Sequence, residues 1–374
     1  MKIVVNTRLL LRDKLGGIGW FAFETLRRIT VAHPKVEFIF LFDRQYDVQF
    51  IFNPNITPEI LSPPSRHPVL HMLWFERCVS RALKRHKPDL FLSPDGYLSL
   101  KSPVKQLAVI HDINFEHFPE NLPVFSRWYY RYYFPRFARK ASRIATVSEF
   151  SKKDIIETYN IPAEKIDIVY NGANESYKPV SDDIKKATKE KYTSSKPYFI
   201  FIGSLNPRKN LINIFAAYDI FRRKTGGVKL MIVGERMFWS KETENAFEGM
   251  EFKDDVVFCG RLDSFEVNNV IASSEALLLP SLFEGFGIPI VEAFYCGTPV
   301  ITSNVTSMPE VAGEAALLVD PFSPDSIAGA MLRIINEPNL ASELIAKGNI
   351  RKELFTWDKT AAALWQSMLK TINQ

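Results

Sequence analysis

The stretch Ala276–Gly297, ALLLPSLFEGFGIPIVEAFYCG, decides how the rest of the chain is read. Ala276-Leu277-Leu278-Leu279 has the length and continuity of a strand buried on both faces, and Pro280 ends it. A loop carrying Ser281, Glu284, Gly285 and Gly287 follows. Pro289 then stands where a proline opens a helix, and Gly297 where a glycine caps its far end. A strand, a glycine-rich loop and a short helix in this order aim unpaired helix N–H groups, and the positive end of the helix dipole, beyond the strand. An anionic ligand, a phosphate or a diphosphate, is the expectation.

Two carboxylates belong to this unit, Glu284 in the loop and Glu292 on the helix, with seven residues between them. A carboxylate beside a phosphate site repels the phosphate, so both are expected to accept hydrogen bonds from hydroxyls on either side of it. A bare pair at this spacing is ordinarily a solvated loop residue and a surface helix residue; the strand, glycines and capped helix around it favour the ligand reading. The run Glu284-Gly-Phe-Gly-Ile-Pro-Ile-Val-Glu292 resembles the E-x(7)-E signature of family-4 retaining glycosyltransferases. That resemblance implies an α/β protein of the GT-B fold, two Rossmann-like domains facing across a cleft with a C-terminal helix returning to the first. It also implies that Glu284 touches the donor sugar and Glu292 the nucleotide ribose, with Gly285, Phe286 and Gly287 in the donor loop.

At 374 residues the chain is too long for one core, and two domains are expected. Its composition, 46% apolar and 24% charged, is that of a globular protein. Three widely spaced cysteines, Cys78, Cys259 and Cys296, argue for a reducing compartment over a disulfide framework. No export signal or membrane-spanning run is visible, so a cytoplasmic location is expected. The net charge of +5 is uneven: residues 1–178 hold 26 Lys+Arg against 18 Asp+Glu. A basic half invites an anionic partner. Zinc-finger spacing, an RNP-like strand and a basic heptad array are all missing, which disfavours nucleic acid and leaves a membrane surface, at the inner face, as the better candidate.

Strand-like runs alternate with amphipathic stretches through the first half, at Lys2–Asn6, Val36–Phe42, Asp89–Ser93, Lys105–His111, Arg143–Ser148 and Ile166–Tyr170. The second half repeats the pattern at Tyr198–Ile202, Lys229–Val233, Val256–Cys259, Ala276–Leu279, Pro299–Thr302 and Ala315–Val319. Such alternation marks a parallel sheet with helices on its faces, whose sites lie at the carboxyl ends of the strands. The expected division is 1–177 as the acceptor-side domain with a helix from about 357 to 374, a helix-containing linker at 178–197, and 198–356 as the nucleotide-sugar domain.

Four further motifs carry chemistry. Leu15-Gly-Gly-Ile-Gly-Trp20 contains Gly17-Ile-Gly19-Trp-Phe-Ala22, which fits G-x-G-x-x-A, and Asp43 ends the next strand, so an NAD-dependent enzyme is one alternative. The dinucleotide fingerprint needs its glycines directly after the strand, and about ten residues intervene. By resemblance, Gly16 and Gly17 form a loop under the donor diphosphate. Val109-Ile-His111-Asp112 ends a strand; His111 could exchange protons, hydrogen-bond a sugar or merely cap the next helix, and the resemblance puts it at the donor sugar. A metal site of His111, Asp112 and His117 lacks a supporting third-ligand spacing.

Gly203-Ser-Leu-Asn-Pro-Arg208-Lys209-Asn210 places two cations after a strand, where they can neutralise a leaving diphosphate; it closely resembles the family's G-S-L-x-P-R-K-N pattern. Gly234, and Gly260-Arg261-Leu262, put glycine at strand ends where a flat ligand can approach the backbone, and by resemblance Arg261 and Leu262 frame the base. Ser148 is expected to cap a helix. The segment Arg127–Arg143 interleaves six basic residues with seven aromatics, the composition of an interfacial anchor or, equally, of a core-packing helix pair broken before Pro135.

The expected function is therefore transfer of a sugar from a nucleotide-diphosphate donor to a hydroxyl of a glycan or lipid-linked acceptor. Retention is implied by the family. Metal independence is expected, with no cofactor, because no Asp-x-Asp follows a strand and Arg208 with Lys209 can do the work of a divalent ion. The G-S-L-x-P-R-K-N run leans toward GDP-mannose. A sugar-nucleotide-binding subunit without turnover is the alternative from another class.

Overall fold

The computed structural model describes residues 1–12, 14–65, 68–236 and 239–374. Two compact units emerge, Met1–Gly172 with Trp357–Gln374, and Ala173–Thr356.

The first unit is built on β1 (Lys2–Asn6), β2 (Glu37–Phe42), β3 (Ile56–Ile60), β4 (Leu90–Ser93), β5 (Gln106–Val109), β6 (Arg143–Thr146) and β7 (Ile166–Ile168). They pair in parallel in the order β3-β2-β1-β4-β5-β6-β7. Strand side chains alternate faces, so each apolar run feeds two cores. Ile3, Val5, Phe40, Leu92 and Val109 pack with Phe21 and Leu26 of the helix Gly17–Ala32 and with Trp357, Leu364 and Met368 of the C-terminal helix. Val4, Leu41, Phe91, Ala108 and Ile144 face the other way, against Trp74, Tyr97, Phe134 and Phe137. The expected strands Lys105–His111 and Arg143–Ser148 stop at Val109 and Thr146, which leaves His111 and Ser148 in loops beyond the carboxyl ends.

Two features of this unit depart from the sequence expectation. β3, ITPEI, is not among the expected strands; its Pro58 is admitted because β3 lies at the sheet edge, where a missing N–H costs no ladder bond. The segment expected to break before Pro135 is one helix, Val124–Lys140, running through it. An interior proline costs about 3 kcal/mol, but burial of Tyr129, Phe134 and Phe137 contributes about 1.5–3 kcal/mol for each large apolar side chain, so packing wins.

The second unit repeats the plan with β8 (Tyr198–Ile202), β9 (Lys229–Val233), β10 (Val256–Gly260), β11 (Ala276–Leu279), β12 (Val300–Ser303) and β13 (Leu317–Val319), all parallel, in the order β10-β9-β8-β11-β12-β13. The stretch 178–197, expected as a linker, belongs to this unit. Its helix Asp182–Thr193 is held by polar contacts, Lys189 to Glu275 at 3.0 Å and the Tyr192 hydroxyl to Glu266 at 2.7 Å, which a search for aliphatic periodicity passes over.

The chain leaves the first unit at Gly172 and re-enters it at Trp357, and these two residues touch. A Cβ on Gly172 would stand 2.6 Å from the Trp357 backbone nitrogen and ring. Gly172→Ala is expected to destabilise the first unit by about 1–3 kcal/mol, the usual cost of overpacking. Thermal denaturation followed by tryptophan fluorescence measures it; an unchanged melting temperature would show that this contact is slack.

Candidate active site

In each sheet the chain order reverses at one strand pair, and a crevice opens beyond the carboxyl ends there. In the second unit this pair is β8 and β11. From β8 the chain runs through Gly203 to a short 3-10 turn, Pro207–Lys209; from β11 it runs through Pro280 into the loop 281–287. The two loops are tied by backbone, Leu282 N donating to Arg208 O at 2.8 Å.

Glu284 stands at their junction. It is buried, and its carboxylate accepts from Lys209 Nζ, from Arg208 Nη1 at 2.9 Å and from Ser281 Oγ at 2.9 Å. Burial alone would push this carboxyl up; the Lys209 and Arg208 charges overcome it and hold it at about 2. Glu284 is an anion at every physiological pH. A carboxylate has about four lone-pair positions, so three donors leave room on Oε2 for another.

The backbone of this loop is fixed as firmly as its side chain. Thr306 Oγ1 accepts from Glu284 N at 3.3 Å, and Ser307 Oγ donates to Glu284 O at 2.9 Å. Arg208 Nη1 also donates to Phe283 O at 2.9 Å, and Asn210 Nδ2 to Pro280 O at 2.8 Å. Gly287, at φ 94°, turns the loop into the helix Ile288–Cys296, with Pro289 in its first turn and Gly297, at φ 66°, as its cap. In the sequence Asn210 and Ser281 are read only as parts of their motifs, and Thr306 and Ser307 are not read at all. Each is a short polar residue in a loop, a type too common to single out until the fold brings it to Glu284.

Glu292 lies on the same helix, apart from this ion cluster. It is half-buried, and among the described residues nothing donates a hydrogen bond to it. Burial pushes its carboxyl up to about 7.

The glycines at the neighbouring strand ends are dictated by geometry. Gly203 and Gly234 have φ of 151° and 152°, and a Cβ on Gly234 would fall 1.8 Å from Gly203 O. No other residue fits at 234, and β8 and β9 therefore end in bare backbone. Gly260 ends β10 at φ 65°; Arg261 beyond it is exposed and Leu262 half-buried. Phe286, expected in the donor loop, has its ring buried edge-on against Phe355 at 5.4 Å, because an aromatic beside an apolar core gains by burial.

In the first unit, Gly16 precedes the helix Gly17–Ala32 as its N-cap, and the loop from Asn6 to Gly16 separates it from β1, so these glycines do not form a dinucleotide fingerprint. A Cβ at Gly16 would meet open space. His111 Nε2 is 2.9 Å from Pro94 O, and the ring meets Phe21 edge-on. Burial lowers its pKa, so the ring is neutral near pH 7; with Nε2–H donating to Pro94, Nδ1 is left as an acceptor. Asp112 caps Asn114, its Oδ1 accepting from Asn114 N at 3.0 Å, and Ser148 caps Glu149–Tyr159 through Ser151 N at 3.0 Å. His117 pairs with Asp154 at 2.8 Å, away from His111's partner.

Comparisons with known proteins agree with this architecture. The family described as glycosyl transferases group 1 matches residues 182–351, and that described as Glycosyltransferase Family 4 matches residues 15–177. The chain belongs to the group 1, family-4 glycosyltransferases and has the GT-B fold. It is 28% identical to O-antigen chain mannosyltransferase B of Escherichia coli, over 96% of this chain and 97% of that one. It is 30% identical to O-antigen chain mannosyltransferase RfbU of Salmonella typhimurium over 63% of each. Sucrose-phosphate synthase of Thermosynechococcus elongatus superposes with a TM-score of 0.79 at 17% identity, covering 99% of this chain and 98% of that one. HepE of Anabaena, solved with UDP and glucose, superposes at 0.78, also at 17% identity, covering 98% and 99%.

The two glutamates predict opposite pH responses. Glu284, folded at about 2 against an ordinary 4.5, stabilises the fold above pH 4.5, and that contribution is lost as pH falls toward 2. Glu292, folded at about 7, costs stability progressively as pH rises from 4.5 to 7. Glu292→Gln is therefore expected to raise the melting temperature of the unliganded protein at pH 8 by about 2–4 °C, the equivalent of roughly 1 kcal/mol, and to leave it unchanged at pH 4.5. Melts of both proteins at the two pH values test this; an equal effect at both would show that Glu292 is not titrating.

Proposed function

We propose that this chain transfers mannose, with retention of configuration and without a metal ion, from GDP-mannose to a hydroxyl of a glycan or lipid-linked acceptor. The observation that carries the reading is the convergence of Arg208, Lys209 and Glu284 at the β8/β11 crevice. Two cations at the head of a strand-to-helix turn stabilise a departing diphosphate, as a divalent ion does elsewhere. The mannosyl donor is supported by the names of the E. coli and Salmonella relatives, and a nucleotide-sugar ligand by HepE in complex with UDP-glucose.

In this reading Glu284 holds both cations in place and uses its remaining lone pair on a donor-sugar hydroxyl. Glu292 accepts from the ribose hydroxyls, and His111 Nδ1 accepts from a sugar hydroxyl. The C1–O bond to the diphosphate breaks as the acceptor oxygen bonds to C1 on the same face, and the acceptor's proton passes to the leaving phosphate oxygen. Gly203 and Gly234 let the diphosphate approach bare backbone, and Arg261 with Leu262 lie beside the base. The first unit holds the acceptor.

The helix Val124–Lys140 supports a second, compatible statement. Phe125, Trp128 and Tyr132, at positions i, i+3 and i+7, share a face and are exposed by 75%, 60% and 41%. Val124 adjoins them, and Arg131 and Arg136 flank them. Aromatics with cations on one exposed face suit a peripheral contact with anionic lipid; among the described residues no helix is long and apolar enough to cross a membrane.

Arg208→Ala with Lys209→Ala should abolish stabilisation by GDP, since charged hydrogen bonds contribute about 1.5–3 kcal/mol each, and should lower the melting temperature of the unliganded protein because Glu284 is left buried without its cations. Because Glu284 competes with the diphosphate for these cations, Glu284→Gln should bind GDP at least as tightly as the parent while turnover of GDP-mannose falls by roughly 100-fold. Calorimetric titration and donor turnover, each with and without EDTA, read these outcomes. Unchanged GDP affinity in the double variant, or activity lost to EDTA, would overturn the corresponding part. Separately, Phe125→Ser with Trp128→Ser should release the protein from phosphatidylglycerol vesicles at low salt; equal binding by both proteins would return this face to an ordinary surface.

A further inference from the structure

The first sheet has its own reversal point, between β1 and β4, and no motif read from the sequence falls there. Asn6 at the end of β1 donates through Nδ2 to Ser93 Oγ at 3.1 Å and to Asp95 Oδ1 at 2.7 Å, spanning the two strand ends. Asp95 Oδ1 also accepts from Ser93 Oγ at 3.0 Å, and Asp95 Oδ2 accepts from Arg8 Nε at 2.6 Å. Arg8 is only 8% exposed, and its guanidinium lies 4.4 Å over the Tyr97 ring.

Arg8 meets its carboxylate through a single nitrogen, as Arg131 meets Glu116 and Arg223 meets Glu251, but unlike those exposed arginines it is buried. Arg44 grips Asp43 through Nε and Nη2 at 2.7 and 2.8 Å, and Arg143 grips Asp167 through the same two nitrogens, both at 2.8 Å. Arg8 gives Asp95 its Nε alone. Across from it, His71 Nε2 is 3.4 Å from Arg8 Nη1 and 3.1 Å from Ser65 O. That nitrogen can accept from Arg8 or donate to Ser65, and not both. Of a guanidinium's five N–H donors, at least three therefore have no partner among the described residues. A side chain this buried ordinarily has its donors satisfied, since an unmade buried hydrogen bond is costly.

We propose that Arg8 is an acceptor-binding residue, the open Nη1/Nη2 edge of its guanidinium donating to two neighbouring oxygens of the acceptor sugar at the β1/β4 crevice. The charges around it select a neutral ligand. Asp95 already balances Arg8, and Arg44 balances Asp43, which in turn binds Ser65 N at 2.9 Å. Among the described residues a phosphate would meet two carboxylates here with no unbalanced cation, whereas sugar hydroxyls need only donors. The proposal rests on the glycosyltransferase reading for calling this sugar the acceptor.

Methyl α-mannoside is the probe, and Arg8→Lys the variant, because lysine still neutralises Asp95 but lacks the two-pronged edge. Hydrolysis of GDP-mannose without acceptor reports the donor machinery alone, and should stay within twofold of the parent. The KM for methyl α-mannoside in the transfer reaction should rise at least tenfold. Independently of activity, titrating methyl α-mannoside should shift the His71 ring resonances in the parent protein and leave them unmoved in Arg8→Lys. A second variant, Arg8→Gln with Asp95→Asn, removes both charges together and should match Arg8→Lys if the fold tolerates neither change alone. Absence of a His71 response in the parent, an unchanged KM in Arg8→Lys, or equal losses in hydrolysis and transfer would each overturn the proposal. Failure of the parent to hydrolyse GDP-mannose or bind GDP, with the His71 response intact, would instead overturn the proposed function and leave a sugar site at Arg8.

Discussion

Parallel pairing is the constraint on which the rest of the structure depends. Every strand in each sheet runs the same way, so each connection returns over a face and all the carboxyl-end loops of a sheet gather along one edge. The strands, buried on both sides, are mostly apolar. Polar residues with functional reach gather at the strands' carboxyl ends and just past them, as Asn6, Asp43, Asp95, His111, Arg208 and Glu284 do.

Within the second unit, that crowding makes an electrostatic knot. Glu284 is too buried to be an anion alone, and Lys209 is too buried to be a cation alone; each makes the other's charge tolerable. In the proposed reaction the same pairing pre-positions Arg208 and Lys209, since an incoming diphosphate offers oxygens of equal charge. Glu292, on the helix Ile288–Cys296 that follows the Glu284 loop, has the opposite character. It is a carboxyl with no donor among the described residues, raised to about 7 by burial, and so gains more from hydroxyl donors than a solvated glutamate does. Two glutamates at a fixed sequence spacing are thus placed in contrasting environments by one loop-to-helix turn.

The first unit shows the same economy at its own reversal point, where Arg8 and Asp95 are as buried as Lys209 and Glu284. The difference lies in how fully donors are used. The cations at the second crevice converge on one carboxylate, whereas Arg8 turns only one edge toward Asp95.

The sequence by itself determined the class of fold and most of its strands, because continuous apolar runs and glycine or proline stops are local signals that act through backbone sterics and burial. It also picked out the two loops that meet at the β8/β11 crevice, since Arg208, Lys209 and Glu284 follow strands in a recognisable order. It misplaced what depends on long-range packing: Pro135 is carried inside a helix by the core beneath it, Pro58 is admitted by an edge, and 178–197 is anchored by polar contacts. Only the tertiary structure decided that Glu284 neutralises two cations while Glu292, among the described residues, has none, and that Arg8 is left, among those residues, with unspent donors. Ionisation and hydrogen-bond satisfaction are set by groups such as Asp95, which lies 87 positions along the chain from Arg8, and no local pattern in the sequence encodes which carboxylate will face which cation.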